Sequence, residues 1–415
     1  MNTHKIQNII ILIIFILLSC LLCFSINNNN TKNISTAVIP QYERHLSRVV
    51  FTLSIDNFNL DIHDNLIKCL PDYSEITIML PDKNINIIEE YLKEKQYGDR
   101  VNLITYTTEL IENINYYLVF PESDKIIYGN TESKIIPNGS IWAQDLFIVT
   151  EKDNGTKKLL ISETYKWFTS FDNNSENIRL KSDNSFLNNL SSLDIEIERT
   201  NFTFSGGNII LDKIDNKVIA FCGYDIIRKT QLVWKSIDNL PEPDEVNIAA
   251  AVKNYLNADE VIFFDYNSRQ PNLMFHLDQA MLLVDNKKIF LTNISDMEQI
   301  NYYSETQIEE ITNVNCFLET IRIKLEEMGY KVINLDTSIK NILNNQFYAN
   351  AIPYIDLNTG LKTVLLPVFS DDDFDEELSR RNIAVLEESG YAVIPVRDYT
   401  NTVKGGIHCL INVLD

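Results

Sequence analysis

The sequence predicts a single α/β domain built from several ββαβ-like units and preceded by an N-terminal export segment. Short β-rich runs alternate with amphipathic helices, which is the pattern of an α/β fold. No clear linker interrupts residues 48–415. With 415 residues, the chain is long enough to bury a sizeable core.

The first residues differ in composition from the rest of the chain. Lys5 precedes an almost unbroken apolar run from Ile9 to Ile26, without a convincing cleavage site after it. Such a run is typical of a signal peptide or a signal anchor, and its length is at the threshold for a membrane span. Cleavage, lipidation at Cys20 and retention are all open, and an uncleaved segment would contact the membrane through residues 6–26. In each case we expect the protein to be exported.

The domain organisation follows from these differences. We assign residues 1–26 to the signal peptide or membrane anchor. The Asn-rich residues 27–47 lack apolar periodicity, which predicts a disordered tether. Residues 48–415 form the predicted catalytic domain.

The predicted domain begins with alternating strands and helices. The β-rich runs are residues 48–55, 75–80 and 101–106. Apolar residues recur at helical spacing within 60–67 and 85–92, so we expect a helix in each connection.

The same alternation returns later in the chain. Two of the later helices end near a glycine, Gly329 or Gly390, as a C-terminal cap requires. Each predicted helix is followed by a strand, and the pairs are 248–256 with 261–266, 317–328 with 331–335, and 378–386 with 391–396. Four further β-rich runs carry polar residues of chemical interest: 141–150, 208–212, 277–284 and 407–414.

The charge balance limits the class of partner. The chain has 36 Lys and Arg residues against 58 Asp and Glu residues, which gives a formal net charge of −22. Nucleic-acid binding needs clustered basic residues, so a nucleic-acid partner is not expected. An acidic protein attracts a cationic substrate through its long-range field.

Four cysteines follow the export segment, namely Cys69, Cys222, Cys316 and Cys409. Their even number allows two disulfides in an oxidising compartment, but no pair has the spacing of a redox or zinc motif. Because the first three lie in apolar contexts, we predict that they are buried and unpaired.

Cys409 is the candidate nucleophile. It ends the sequence Gly405-Gly406-Ile407-His408-Cys409, in which two glycines allow the backbone to turn tightly or to approach a ligand closely. The alternative is a small buried thiol near the end of the chain.

A histidine and a carboxylate form the second candidate, in His276-Leu277-Asp278. On a strand the two polar side chains would point to the same face. Their apolar neighbours place the pair in or beside the core, where a carboxylate needs a partner. A metal site is the weaker interpretation, because a third ligand would be needed.

Two further segments carry isolated polar residues. Asp145 is a lone carboxylate in the apolar run that begins at Ile141 and Trp142, and an edge-strand charge is the alternative. Ser205-Gly206-Gly207-Asn208 opens a β-rich run and by itself indicates only a turn.

In this order the four segments resemble the guanidine-modifying superfamily of agmatine, arginine and peptidylarginine deiminases. Gly-Gly-Ile-His-Cys is similar to the nucleophile motif, and His276-Leu277-Asp278 is similar to the His-x-Asp motif. Ser205-Gly206-Gly207-Asn208 resembles Glu-Gly-Gly-Asn, and Trp142-Ala143-Gln144-Asp145 resembles Trp-x-Arg-Asp. Residues 346–350 and 364–375 extend the resemblance, which covers about residues 48–415.

The resemblance implies a five-bladed α/β propeller, or pentein, of ββαβ units around a central active site. It implies that Cys409 attacks a guanidinium carbon, that His276 transfers protons, and that Asp145 and Asp278 hold the guanidinium nitrogens. The residues expected to bind substrate are Trp142, Gly207, Asn208 and Asn350. No metal or organic cofactor is expected for this chemistry.

Two departures from the family pattern affect the choice of substrate more than the type of reaction. Ser205 replaces a glutamate that lies near the distal part of the substrate, and Gln144 replaces the commoner arginine. The acidic residues within 371–377 invite a calcium site, and calcium dependence stays open. We favour a solvated acidic helix start, which suits the helix dipole.

We therefore expect an exported hydrolase that converts peptidyl-arginine to peptidyl-citrulline and ammonia through a covalent thiouronium on Cys409. Its expected partner is an arginine-containing peptide or protein, or a small guanidino compound. The alternatives are an agmatine or free-arginine deiminase and an amidinotransferase. A non-enzymatic alternative is a surface-anchored binding protein that kept the fold and lost catalysis.

Overall fold

The computed structural model describes residues 36–37, 39–53, 60–97, 100–106, 114–120, 125–131, 142–152, 156–162, 195–236, 242–369, 373–398 and 405–415. The strands are β1 (Thr36–Ala37), β2 (Arg48–Thr52), β3 (Glu75–Pro81), β4 (Val101–Tyr106), β5 (Ile114–Phe120), β6 (Lys125–Thr131), β7 (Ile148–Lys152), β8 (Lys157–Ser162), β9 (Glu196–Thr200), β10 (Ile209–Ile214), β11 (Lys217–Gly223), β12 (Glu260–Phe264), β13 (Met281–Asp285), β14 (Lys288–Ile294), β15 (Lys331–Thr337), β16 (Ile352–Ile355), β17 (Lys362–Val368), β18 (Ala392–Arg397) and β19 (Ile411–Val413).

Nine α-helices lie between these strands in the described part of the chain. They are α1 (Leu60–Cys69), α2 (Ile85–Glu94), α3 (Asp225–Ser236), α4 (Glu245–Tyr255), α5 (Leu277–Ala280), α6 (Glu305–Glu327), α7 (Ile339–Leu343), α8 (Asp373–Glu388) and α9 (Ile407–Leu410). Short 3-10 turns occupy Gln41–Glu43, Asp82–Asn84, Ala143–Asp145, Gly206–Asn208 and Met297–Tyr302.

Five small sheets share one topology. In each, a first strand pairs antiparallel with a second, and the second pairs parallel with a third. These triplets are β7-β8-β9, β10-β11-β12, β13-β14-β15, β16-β17-β18 and β19-β2-β3. In four of them helical residues connect the second strand to the third, namely α1, α3 with α4, α6, and α8. The ββαβ units predicted from the sequence are thus present.

The fifth of these sheets joins the two ends of the chain. Strand β19, at the C-terminus, pairs with β2, so that Ile411 lies opposite Phe51. The leading strand of this unit therefore comes from the last residues of the sequence, and the turn before it carries Cys409.

Helix α6 illustrates how local sequence and packing agree. Ser304 and Gln307 form a capping box at its N-terminus, and Gly329, with φ of 80°, follows its C-terminus. Between these ends the buried side chains recur at intervals of three and four residues, at Ile311, Val314, Leu318, Ile321 and Leu325. This face packs in a core shared with the sheets β10-β11-β12 and β13-β14-β15.

The disordered tether predicted through residue 47 needs correction. Residues 39–47 pack against the domain, and Leu46 is fully buried. The Tyr42 hydroxyl donates to Asp212 Oδ1 at 2.6 Å, and the Ile355 amide donates to the Arg44 carbonyl at 2.8 Å. Strand β1 also pairs with β7. Aromatic and aliphatic residues anchor this segment although it lacks a regular period.

Four predicted strands begin instead with a helical turn. The runs 141–150, 208–212, 277–284 and 407–414 each contain a 3-10 or α-helical turn followed by the strand proper. All four residues of α5 and all four residues of α9 are buried. A short segment buried on every side has no apolar periodicity, so the sequence could not distinguish this turn from a strand.

The cysteine prediction is confirmed in part. The four cysteines of the described residues are all unpaired. Cys222 and Cys409 are buried, whereas Cys69 and Cys316 are half-buried. The prediction of full burial is therefore wrong for the last two.

The predicted export segment lies outside the described residues. Among the helices that are described, none has both the length and the apolar composition that a bilayer crossing requires.

Candidate active site

The candidate catalytic residues occupy equivalent positions in different sheets. Asp145 ends the turn before β7, and His276 and Asp278 flank the start of α5 before β13. Cys409 lies in α9, directly before β19. Asn350 lies two residues before β16. Because each turn precedes the first strand of its sheet, the repeated topology brings these side chains to one place.

The predicted catalytic side chains lie together. One ligand atom from each of His276, Asp278 and Cys409 is within 4.8 Å of the others. The Cys409 Sγ lies 3.5 Å from Asp278 Oδ2, and His276 Nδ1 lies 3.9 Å from Asp145 Oδ1. His276 and Asp278 were predicted on a strand, but they reach the site from an N-cap and a first helical turn.

Two buried polar atoms at this site lack a hydrogen-bond partner within the described part of the chain. They are Nδ1 of His276 and Oδ1 of Asp278. Their residues are only 4% and 3% exposed. Buried polar atoms without a partner are costly, so an unpaired donor or acceptor beside a thiol indicates a place for a polar ligand.

The surroundings of Cys409 keep its thiol protonated. Burial raises the pKa of the thiol well above its ordinary value, and the negative charges of Asp278 and Asp145 raise that pKa further. Hydrogen bonds from Asn350 and from the local backbone act in the opposite direction. A cation bound between the carboxylates would cancel their field and favour the thiolate.

His408 is a site residue that the sequence did not single out. Its Nδ1 lies 2.7 Å from Asp278 Oδ2, and both side chains are buried. One oxygen of Asp278 is therefore held by a neighbouring imidazole, while the other has no hydrogen-bond partner among the residues that the structure describes. The signal was its position in the same pentapeptide as Cys409, since a histidine next to a buried nucleophile shares its surroundings.

Asn350 contacts the nucleophile rather than open space. Its Nδ2 donates to Cys409 Sγ at 3.4 Å, and its Oδ1 accepts from the His408 amide at 2.9 Å. A Cβ on Gly406 would lie 2.2 Å from that Oδ1, so only glycine permits the approach. We assign Asn350 a role in positioning Cys409, in addition to the substrate contact implied by the resemblance.

Asn208 fixes the loop that carries His276. Its Oδ1 accepts from the Leu277 amide at 3.1 Å and from Gln270 Nε2 at 2.9 Å. Its Nδ2 donates to the Phe275 carbonyl at 2.9 Å. Both ends of the amide are thus bonded within the protein, which gives Asn208 a supporting function where the resemblance implies substrate binding.

Gly207, Gly405 and Trp142 of the predicted motifs pack closely against neighbouring groups at the site. A Cβ on Gly207 would lie 2.8 Å from Asp278 Oδ2 and 3.0 Å from His276 Nδ1. A Cβ on Gly405 would lie 2.1 Å from the ring of Trp142, which is half-buried. Gly207 therefore leaves space at the reacting groups, and Trp142 covers the turn before Cys409.

The two residues that depart from the family pattern are both buried. Gln144 is 7% exposed, and its carbonyl lies where a Cβ on Gly206 would stand. Ser205 is 1% exposed, and its Oγ has no hydrogen-bond partner among the described residues.

The same cluster has the spacing of a metal site. His276, Asp278 and Cys409 together supply the third ligand that the sequence lacked. The chemistry of the donors nevertheless fits an organic cation as well, because Asp145 adds a second carboxylate beside them.

The acidic run near residue 375 differs in part from its prediction. Helix α8 does begin there, at Asp373. Asp375, however, is fully buried and pairs with Lys340 at 3.2 Å, so it is not solvated. Residues 370–372 lie outside the described part of the chain.

The architecture is similar to that of solved agmatine deiminases. The enzyme of Enterococcus faecalis is 11% identical with a TM-score of 0.60, and the alignment covers 91% of this chain and 95% of that one. The enzyme of C. jejuni is 13% identical with a TM-score of 0.56, covering 91% and 96%. A substrate-bound variant of the C. jejuni enzyme gives 13% and 0.55 with the same coverage. No curated protein matches the chain in sequence.

The chain thus has the fold of the agmatine deiminases, with a thiol, an imidazole and a carboxylate clustered at the turns before the leading strands. The model of the Porphyromonas-type peptidyl-arginine deiminase family matches residues 65–412. The chain belongs to that family, and it is a C–N hydrolase of the deiminase type that acts on guanidino groups.

Proposed function

We propose that the protein is an exported peptidyl-arginine deiminase that converts arginine side chains of peptides or proteins to citrulline. The proposal rests on two buried atoms, His276 Nδ1 and Asp278 Oδ1, which have no hydrogen-bond partner among the described residues and whose side chains cluster with Cys409. A guanidinium supplies N–H donors for the carboxylate and an electrophilic carbon for the sulphur.

The first half of the reaction joins the substrate to the protein. Asp145 and Asp278 hold the guanidinium through charge-assisted hydrogen bonds, which fix its plane next to the Cys409 sulphur. Binding of the cation favours the thiolate; the proton of the Cys409 thiol passes to His276, and the thiolate attacks the guanidinium carbon. The tetrahedral adduct collapses when His276 protonates the departing nitrogen, and ammonia leaves. The product is an S-alkyl thiouronium on Cys409.

The second half consumes one water. His276, now neutral, removes a proton from a water that attacks the thiouronium carbon. The new tetrahedral adduct expels the Cys409 thiolate and leaves a ureido group. The overall change is guanidinium plus water to ureido product plus ammonium, so no oxidant or reductant takes part. Residues of this chain supply every group in the proposal, and a chelator is expected to leave the rate unchanged.

The buried Ser205 favours a peptide over agmatine. Agmatine carries a second cation at its distal end, which needs a countercharge in a buried site. The resemblance implies a glutamate at this position, and the neutral Ser205 hydroxyl does not replace it. A peptide backbone carries no such charge, so serine in place of glutamate weakens the binding of a peptide less than that of agmatine.

Export and the arrangement of the sheets belong to the same proposal. The apolar residues 9–26 support delivery outside the cytoplasm, where protein substrates are accessible. The five similar sheets support a five-bladed propeller, in which each leading strand follows one active-site turn.

Four substrates test the proposal on the folded protein under reducing conditions. They are a peptide with an internal arginine, a peptide with a C-terminal arginine, free arginine and agmatine. We expect the highest kcat/KM for ureido formation with a peptide. A preference for agmatine overturns the peptidyl assignment, and transfer of the amidino group to an added amine indicates an amidinotransferase. No product from any of the four substrates favours the non-enzymatic binding protein.

A further inference from the structure

A small cavity lies behind the turn that carries the nucleophile. Its walls include Gln41 and Arg44 from the packed N-terminal segment, Gln144, and His408. Apolar residues at the ends of β16 and β19 complete it. About 10 Å³ is open to the centre of a water-sized sphere, which is room for about one water molecule or one monatomic ion.

The buried guanidinium of Arg44 is the unusual feature of this cavity. Arg44 is 7% exposed, and its Nε has no hydrogen-bond partner among the described residues. Burial lowers the pKa of Arg44 to about 10, so the group is still charged at neutral pH. A buried charge with an unsatisfied donor is unfavourable.

Protein groups compensate this charge only in part. Asp415 is the group whose charge favours the charged form of Arg44. The side-chain carboxylate of Asp415, however, accepts from the backbone amides of Ser47 and Arg48, the latter at 3.0 Å. The carboxylate of Asp415 is thus already bonded to two amides, whereas Arg44 lines the cavity.

The other polar side chains that line the cavity are compatible with a bound anion. Gln41 and Gln144 carry amide donors, and the His408 ring has a second nitrogen besides the Nδ1 that is bonded to Asp278. Arg44 is fixed in place, since its carbonyl accepts from the Ile355 amide at 2.8 Å.

We propose that Arg44, together with His408 and the two glutamines, binds a small monovalent anion of halide size in this cavity. The anion supplies the countercharge that Arg44 lacks. It also ties the N-terminal segment to the turn that bears Cys409, because its ligands come from both. The site is separate from the guanidinium site and does not depend on the substrate assignment.

Bromide tests the site directly in the unaltered protein. Crystals grown in sodium bromide are examined by anomalous diffraction at the bromine absorption edge. We expect an anomalous peak between Arg44 and His408. A cavity that holds an ordinary water without anomalous signal overturns the proposal, whatever the outcome of activity assays.

Thermal unfolding provides the second measurement. Sodium bromide is compared with sodium gluconate at equal ionic strength, because gluconate is too large for the cavity. Above saturation we expect Tm to rise by about 2 °C for each tenfold increase in bromide relative to gluconate. The increase should be lost in Arg44→Met and kept in Arg380→Met, which removes the same charge from an exposed side chain. Equal Tm values in the two salts contradict the proposal. If Arg44→Met does not fold, the diffraction experiment decides alone.

Discussion

His408 Nδ1 lies 2.7 Å from Asp278 Oδ2, and the Cys409 sulphur lies 3.5 Å from the same oxygen. Both groups thus contact Oδ2 of Asp278, whereas Oδ1 has no hydrogen-bond partner among the described residues. His408 therefore holds Asp278 through Oδ2 and leaves Oδ1 available to a ligand. This makes His408 a positioning residue, since it acts through Asp278.

Removing the His408 side chain should slow catalysis without abolishing it. In His408→Ala, Asp278 loses its anchor, and a displacement of the carboxylate by about 1 Å lowers kcat by about 10- to 100-fold. His408→Gln keeps a donor and should recover part of the loss, which a merely structural role would not explain. Steady-state kinetics with an arginine substrate, together with Tm values for each variant, check this. Equal kcat values for His408→Ala and the unaltered protein would refute the role.

Catalysis should require the negative charge of Asp145. Asp145→Asn keeps the shape of the side chain but removes one of the two carboxylates that hold the guanidinium. We expect kcat/KM to fall by about 10²- to 10³-fold. Asp285→Asn is the matched control, because Asp285 is half-buried and pairs with Lys362 at the far end of β13. A loss of the same size in both variants would show that general stability, and not the clamp, is responsible.

The raised pKa of Cys409 predicts the pH dependence of its alkylation. Because the pKa lies above the ordinary value of 9.0, the free protein contains mostly thiol at neutral pH. The rate of modification by iodoacetamide should therefore increase about tenfold per pH unit from pH 7 to 9. A haloacetamidine carries the positive charge that the carboxylates attract, so it should react faster than iodoacetamide at pH 7. Peptide mapping assigns the label to Cys409, and a plateau below pH 8 would contradict the raised pKa.

The same shift has a consequence for stability. A thiol whose pKa is raised by folding stabilises the native state below the pKa of the unfolded chain. That contribution is lost as the pH rises above about 9.

Gly207→Ala should impair catalysis through a single methyl group. The new Cβ would lie 2.8 Å from Asp278 Oδ2 and 3.0 Å from His276 Nδ1, so at least one of these groups must move. We expect kcat/KM to fall by about 100-fold. Gly360→Ala adds the same methyl group where nothing lies within 4 Å. Its φ of 69° costs about 1 kcal/mol in stability, but kcat/KM should be unchanged. Full activity of Gly207→Ala would show that the two side chains are not confined as described.

The sequence predicted which side chains lie together better than it predicted their local structure. Helices α1 and α2 and strand β4 lie where their apolar residues predict them. Helix α6 ends before Gly329 as predicted, but it begins at Glu305 and not near residue 317. The turns that carry Asp145, Asp278 and Cys409 were predicted as strands, because three or four buried residues have no detectable period. Pairing of β19 with β2 could not be read from the sequence, since it depends on contacts between the two ends of the chain.

The roles of individual polar residues also depended on the fold. The catalytic set followed from the order of four motifs, and the structure brings those side chains together. His408 and the bonded amide of Asn208 were not foreseen, because hydrogen-bond partners distant in sequence determine what each of them does.

The proposed reaction depends on attack of the Cys409 sulphur on the guanidino carbon. Release of ureido product and ammonia from an internal-arginine peptide is measured for the unaltered protein, for Cys409→Ala and for Cys316→Ala, whose thiol is half-buried away from the site. We predict a loss of at least about 10⁴-fold for Cys409→Ala and no change for Cys316→Ala. Product formation by Cys409→Ala within tenfold of the unaltered protein would contradict the account.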